Sequence, residues 1–93
     1  MADTAQQTFL FELVSPDAKL LAEQMFQVTI PGSEGDMGIR AGHAPYIVHL
    51  RAGEIICQAG NDNKNVKRVR ITGGFADITG SQCTVLAETA EFV

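Results

Sequence analysis

From Thr8 to Glu88 the chain is cut into short stretches in which apolar and polar side chains alternate, most of them closed by proline, glycine, asparagine or aspartate. A period of two sends successive side chains to opposite faces, so each stretch reads as a strand with one face to bury. In TFLFELVS (8–15) Phe9, Phe11 and Leu13 share a face, opposed by Leu10, Glu12 and Val14, and Ser15-Pro16-Asp17 supplies the turn. AKLLAE (18–23) favours helix by composition but is too short for one between strands, and is read as a strand. QMFQVTI (24–30) is expected as one strand with Phe26, Val28 and Ile30 inward, stopped by Pro31-Gly32. Met37-Gly38-Ile39 and YIVHL (46–50) follow. Ile55–Ala59 and Val66–Thr72 read as a hairpin around GNDNKN, and Phe75–Thr79 and Gln82–Glu88 as another around Gly80-Ser81. About eight to ten short strands at such spacing predict an all-β sandwich or barrel.

The 93 residues predict a single β domain over residues 1–93, with 45% hydrophobic residues and no apolar run of bilayer-spanning length. The leader MADTAQQ holds an acid and no base, unlike a secretory signal or a transit peptide, so a soluble chain in a reducing compartment is expected. A net charge of −4 argues against nucleic acid as the main partner. Lys64, Lys67, Arg68 and Arg70 form the one basic cluster in the sequence. It reads as a hairpin edge guarded by charge, with a local contact to an acidic partner as the competing explanation. Cys57, Cys83, His43 and His49 match no zinc spacing, so both cysteines are expected as small buried hydrophobes, with no metal and no cofactor.

GSEGDMGIRAGHAP, residues 32–45, holds four of the nine glycines with Glu34, Asp36 and His43 among them. Glycine at this density marks tight turns or close approach, on loops where binding surfaces are often carried. A triad from Ser33, His43 and Asp77 lacks the GxSxG context, and phosphate binding lacks both GxGxxG and GK[ST]. Glu34 and Asp36 lie on a loop that suits docking better than catalysis. His43 carries two readings, a turn cap through its ring nitrogens or a partner contact sensitive to pH. His49 reads as a structural or surface residue. A binding or assembly module is therefore favoured over an enzyme, with a small hydrolase the weaker option.

Six runs then match one family in order and spacing: LVSP (13–16), VTIPGSEGDMGI (28–39), GHAP (42–45), LRAGEI (50–55), TGGFADI (72–78) and TVLAETA (84–90). The chain resembles the N-terminal β-sandwich domain of the F-type ATP synthase epsilon subunit, called delta in mitochondria. The resemblance implies a ten-stranded β-sandwich of two sheets, seated on gamma and touching the c-ring. It implies a non-catalytic rotor subunit of the central stalk that couples proton flow to ATP synthesis. Its expected place is the cytoplasmic face of the bacterial inner membrane, held there only through the complex. By the same resemblance Glu34, Asp36 and His43 face the c-ring, with Ala44 and Pro45 shaping the loop. Two departures stand out. Ala41 occupies a position where family members commonly carry proline, and the sequence stops at Val93 without the family's C-terminal helical hairpin. No nucleotide binding and no restraint of hydrolysis are accordingly expected. A free-standing adaptor that binds another protein is the alternative.

Overall fold

The computed structural model describes residues 7–60 and 66–93. The expected turn through residues 61–65 and the basic Lys64 fall outside those residues. Ten strands follow one another: β1 (Phe9–Val14), β2 (Lys19–Met25), β3 (Gln27–Gly32), β4 (Gly35–Ile39), β5 (Tyr46–Leu50), β6 (Gly53–Gln58), β7 (Val66–Ile71), β8 (Gly74–Ile78), β9 (Gln82–Ala87) and β10 (Ala90–Phe92). They hydrogen-bond in the order β10-β7-β6-β3-β5-β8-β9-β1-β2, with β4 on the far side of β3. β1 runs parallel to β9, whereas the hairpin pairs are antiparallel.

The two layers meet at a corner. β3 and β5 share only the pair Gly32↔Leu50. It is flanked by the Ser33 N–H donating to the His49 carbonyl and the Arg51 N–H donating to the Pro31 carbonyl, both at 2.9 Å. One layer is β4, β3, β6, β7 and β10; the other is β5, β8, β9, β1 and β2. The inward phase of every alternation closes between them into one core: Phe9, Phe11 and Leu13 with Cys83, Val85 and Ile78 from one layer, Val28, Ile30, Ile55, Cys57 and Val69 from the other. No polar or charged side chain is buried among the described residues. Each large apolar side chain taken out of water here contributes about 1.5–3 kcal/mol, which is what holds two sheets face to face.

Four sequence expectations change. Residues 24–30 are not one strand: β2 ends at Met25, and Phe26 carries the chain from one layer to the other. Its N–H donates to the Gln58 carbonyl at 2.8 Å. Its ring is buried outside the main core, with the Arg40 guanidinium 4.3 Å from the centroid. A residue crossing between layers has to leave the alternation of both. Pro31-Gly32 does not stop β3, because a proline without an N–H still offers a carbonyl, and Arg51 uses it. β7 is not an edge, since residues 89–93, for which no strand was expected, add β10 to it through Ala90↔Ile71 and Phe92↔Val69. AKLLAE does form a strand, β2, but it runs on to Met25.

The charges of β7 are met within the chain. Lys67 pairs with Glu23 at 2.7 Å, Arg68 with Glu54 at 3.8 Å, and Arg70 with Glu54 and Glu91 at 3.7 and 3.8 Å. Exposed pairs of this kind contribute about 0–1 kcal/mol each, so they keep the face wet more than they hold the fold. On the other layer Lys19 hydrogen-bonds Glu12 at 3.0 Å and lowers its carboxyl's pKa, with Gln82 adding a bond at 2.7 Å.

Burial pushes both cysteine thiols up, to about 12. An unfolded thiol ionises near about 8.5, so at lower pH both states keep the proton and the full stability stands. As pH rises from there towards the folded value, only the unfolded chain loses protons. Stability is then expected to fall by about 1.4 kcal/mol per pH unit for each thiol. Urea titrations between pH 8 and 11 check this. Cys57→Ala and Cys83→Ala should each flatten the slope, and an unchanged slope in both would remove the thiols as its cause.

Candidate functional site

The turn between β3 and β4 is closed by Ser33 and Glu34, with Gly32 opposite Gly35. A Cβ on Gly32 would lie 2.6 Å from the Gly35 carbonyl oxygen, so only glycine lets the two arms come this close. The Arg51 guanidinium, just past β5, donates to the Gly32 carbonyl with one terminal nitrogen and to Asp36 Oδ1 at 2.6 Å with the other. One side chain thus grips both arms of the hairpin from the second layer. Sequence reasoning passed over Arg51, whose only signal was its place at the end of the YIVHL strand.

A groove of about 340 Å³ runs between this hairpin and β5, walled by Glu34, Asp36 and Met37 on one side and by Tyr46, Ile47 and His49 on the other. Ser33 lines it, but His43 and Asp77 do not, which leaves the triad read on paper unassembled around it. Glu34 is exposed and has no ion pair among the described residues, in contrast to Asp36.

His43, Ala44 and Pro45 belong to a separate loop. Gly42 N–H donates to the Gly80 carbonyl at 2.7 Å, tying that loop to the turn between β8 and β9. His43 N–H donates to the Arg40 carbonyl at 3.2 Å, and its ring Nδ1 lies 2.9 Å from the Ala44 carbonyl oxygen, to which it donates when protonated there. That is the geometry of a side chain closing its own turn. The stretch 32–45, read as one surface, is therefore two: an acidic hairpin tip beside β5, and a histidine-closed loop beside Gly80. Ala41, where proline is common in the family, is half-buried against the core.

The outer face of the second layer holds what the sequence reading missed. Register aligns His49 with Phe75 and Phe75 with Leu86, and Leu86 with Val14. Ile47 is 68% exposed, Phe75 46% and Leu86 52%. The His49 ring lies 4.6 Å from that of Phe75, tilted by 52°. Beside them is a shallow apolar groove of about 220 Å³, bounded by Val14, Pro16, Phe75 and Leu86. Large apolar residues on the wet phase of three adjacent strands were the available signal. Exposed apolar residues gathered on one face in this way are characteristic of interaction surfaces.

This architecture defines a class: a small two-layered β-sandwich whose interior is apolar throughout the described residues and whose distinctive chemistry lies on its surface. The family described as ATP synthase, Delta/Epsilon chain, beta-sandwich domain matches residues 8–93, and the chain belongs to that family. Among its relatives, a Rhodospirillum centenum ATP synthase epsilon chain is 44% identical over 80 residues, covering 86% of this chain and 55% of the relative. One from Parvibaculum lavamentivorans is 50% identical over 78 residues, covering 84% and 58%. The chain spans less than two thirds of the length of these relatives. Among solved structures, a chain of the Euglena gracilis mitochondrial ATP synthase (OSCP/F1/c-ring, rotational state 1) matches with a TM-score of 0.82 at 24% identity, over 99% of this chain and 56% of that one. At that identity the likeness bears on the fold.

Proposed function

We propose that the chain serves as the β-sandwich part of a central-stalk rotor subunit in a proton-translocating F-type ATP synthase. It docks on gamma and touches the c-ring, with no catalytic step of its own. The family match across residues 8–93 carries the reading, supported by relatives that bear the name ATP synthase epsilon chain. The two kinds of surface fit two kinds of partner. The apolar outer face around Phe75 and Leu86 suits a stable protein contact and is assigned to gamma. The polar hairpin tip with Glu34 and Asp36, and the loop with His43, Ala44 and Pro45, suit the polar loops of a c-ring. Attachment through these partners would hold the chain at the cytoplasmic face of a bacterial inner membrane without any membrane insertion of its own.

Reconstitution with purified gamma and c-ring tests this. The folded chain is expected to bind gamma and to join the c-ring only with gamma present. Glu34→Lys should weaken c-ring association about tenfold or more while gamma binding is kept, because a reversed charge at a complementary contact repels. Absence of binding to both partners would defeat the proposal.

A further inference from the structure

Taken as a partner-contact surface, the hairpin tip gives Glu34 and Asp36 one shared role, but their surroundings differ. Asp36 Oδ1 is engaged by Arg51 at 2.6 Å, and the same guanidinium holds the Gly32 carbonyl. Gly32 ends β3, Asp36 lies in β4, and Arg51 follows β5, so one side chain joins three strands across the corner. The backbone link there is the lone pair Gly32↔Leu50 with its two flanking bonds, and among the described residues β4 is paired only with β3. How the tip sits against the second layer therefore depends on the guanidinium to an unusual degree. Glu34, two residues away at the turn, is exposed and unpaired among the described residues.

We propose that Asp36 is a positioning residue that acts through Arg51 to set the hairpin, and that Glu34 alone presents a free carboxylate to the partner. The partner group it meets is a cation or an N–H donor on a polar loop. A carboxylate already matched by a guanidinium projects little net field, whereas an unmatched one at a turn does. The Asp36 and Arg51 side chains are 64% and 46% exposed. Their pairing should accordingly show in the order of the tip and in docking, and hardly in global stability.

This rests on the stalk reading, and a double-mutant cycle keeps the two apart. Arg51→Gln, Asp36→Asn and the double variant are compared with Glu34→Gln. The readouts are amide hydrogen exchange at residues 33–37, melting temperature, gamma binding, and c-ring association in the presence of gamma. Arg51→Gln and Asp36→Asn should each speed exchange at the tip and weaken c-ring association by up to about fivefold. The double variant should do no worse than either single one, since both remove the same contact. Gamma binding should stay unchanged, and melting should shift by less than about 8 °C. Glu34→Gln should weaken association without altering exchange. Additive losses in the double variant would overturn the proposal, because Asp36 would then touch the partner itself. Unchanged tip exchange in both single variants would overturn it too, because the guanidinium would not be what orders the hairpin. If exchange rises as expected but no tip variant alters c-ring association, the tip is not the contact surface, and the docking role of both carboxylates falls with that reading.

Discussion

Gly74→Ala is expected to cost the fold about 3 kcal/mol or more. A Cβ at this position would stand 2.0 Å from the Leu86 carbonyl oxygen and 3.0 Å from the Ala87 Cα. Both are backbone atoms of β9, which is bonded to β8 on one side and to β1 on the other. β9 cannot recede without disturbing β1 alongside it, whose Phe11 and Leu13 are fully buried. The φ of +150° at Gly74 adds to the strain for any residue with a side chain. Against a total stability of about 5–15 kcal/mol, a loss of this size is severe. For a chain of this length it corresponds to a fall in melting temperature of about 12 °C or more. Thermal and urea unfolding check it; a fall below about 4 °C would mean that β8 and β9 can separate locally at little cost.

Phe75→Asp, one position along, is expected to act on binding and not on folding. The Phe75 ring is half exposed on the outer face and touches His49 rather than the core. The substitution should therefore leave the melting temperature within a few degrees, about the range of ordinary surface changes. Placed against a covering partner, the carboxylate would be buried without a mate, and an aromatic anchor would be lost. Gamma binding should weaken by about 2 kcal/mol or more, roughly 30-fold. Leu86→Asp, its register neighbour, is expected to behave the same way. Titration of labelled gamma with each variant measures the effect. Full affinity in both would remove this face as the proposed gamma contact.

Much of the strand pattern was legible because burial enforces it residue by residue. YIVHL coincides with β5, and Val69 and Ile71 are buried while Arg68 and Arg70 are exposed, as alternation predicted. Both cysteines lie in the core for the same reason. The misreadings cluster where one residue serves two elements. Phe26 looks like the inward phase of a strand, but its ring is set aside by a crossing between layers. Ala90–Phe92 looks like a fading tail because three residues carry too little pattern to announce a strand. Their pairing with β7 comes from a partner about twenty positions upstream in the chain, which no local window includes.

The candidate site divides along the same line. The residues that the resemblance singles out, Glu34, Asp36, His43, Ala44 and Pro45, all lie on turns or at their margins, and glycine and proline spacing announces turns. Their grouping was not announced. His43 turns back on its own loop, and Asp36 is taken up by an arginine fifteen positions away. By itself the sequence determined most of the strands, the inward face of those that alternate cleanly, and the family, because each is written in local alternation or in runs of matching residues. Only the tertiary structure decided that β3 and β5 meet at a single pair, that Arg51 grips the hairpin there, and that His49, Phe75 and Leu86 line up on one outer face. Those are contacts between strands distant in sequence, and register, which sets them, is a property of the pair of strands and not of either one.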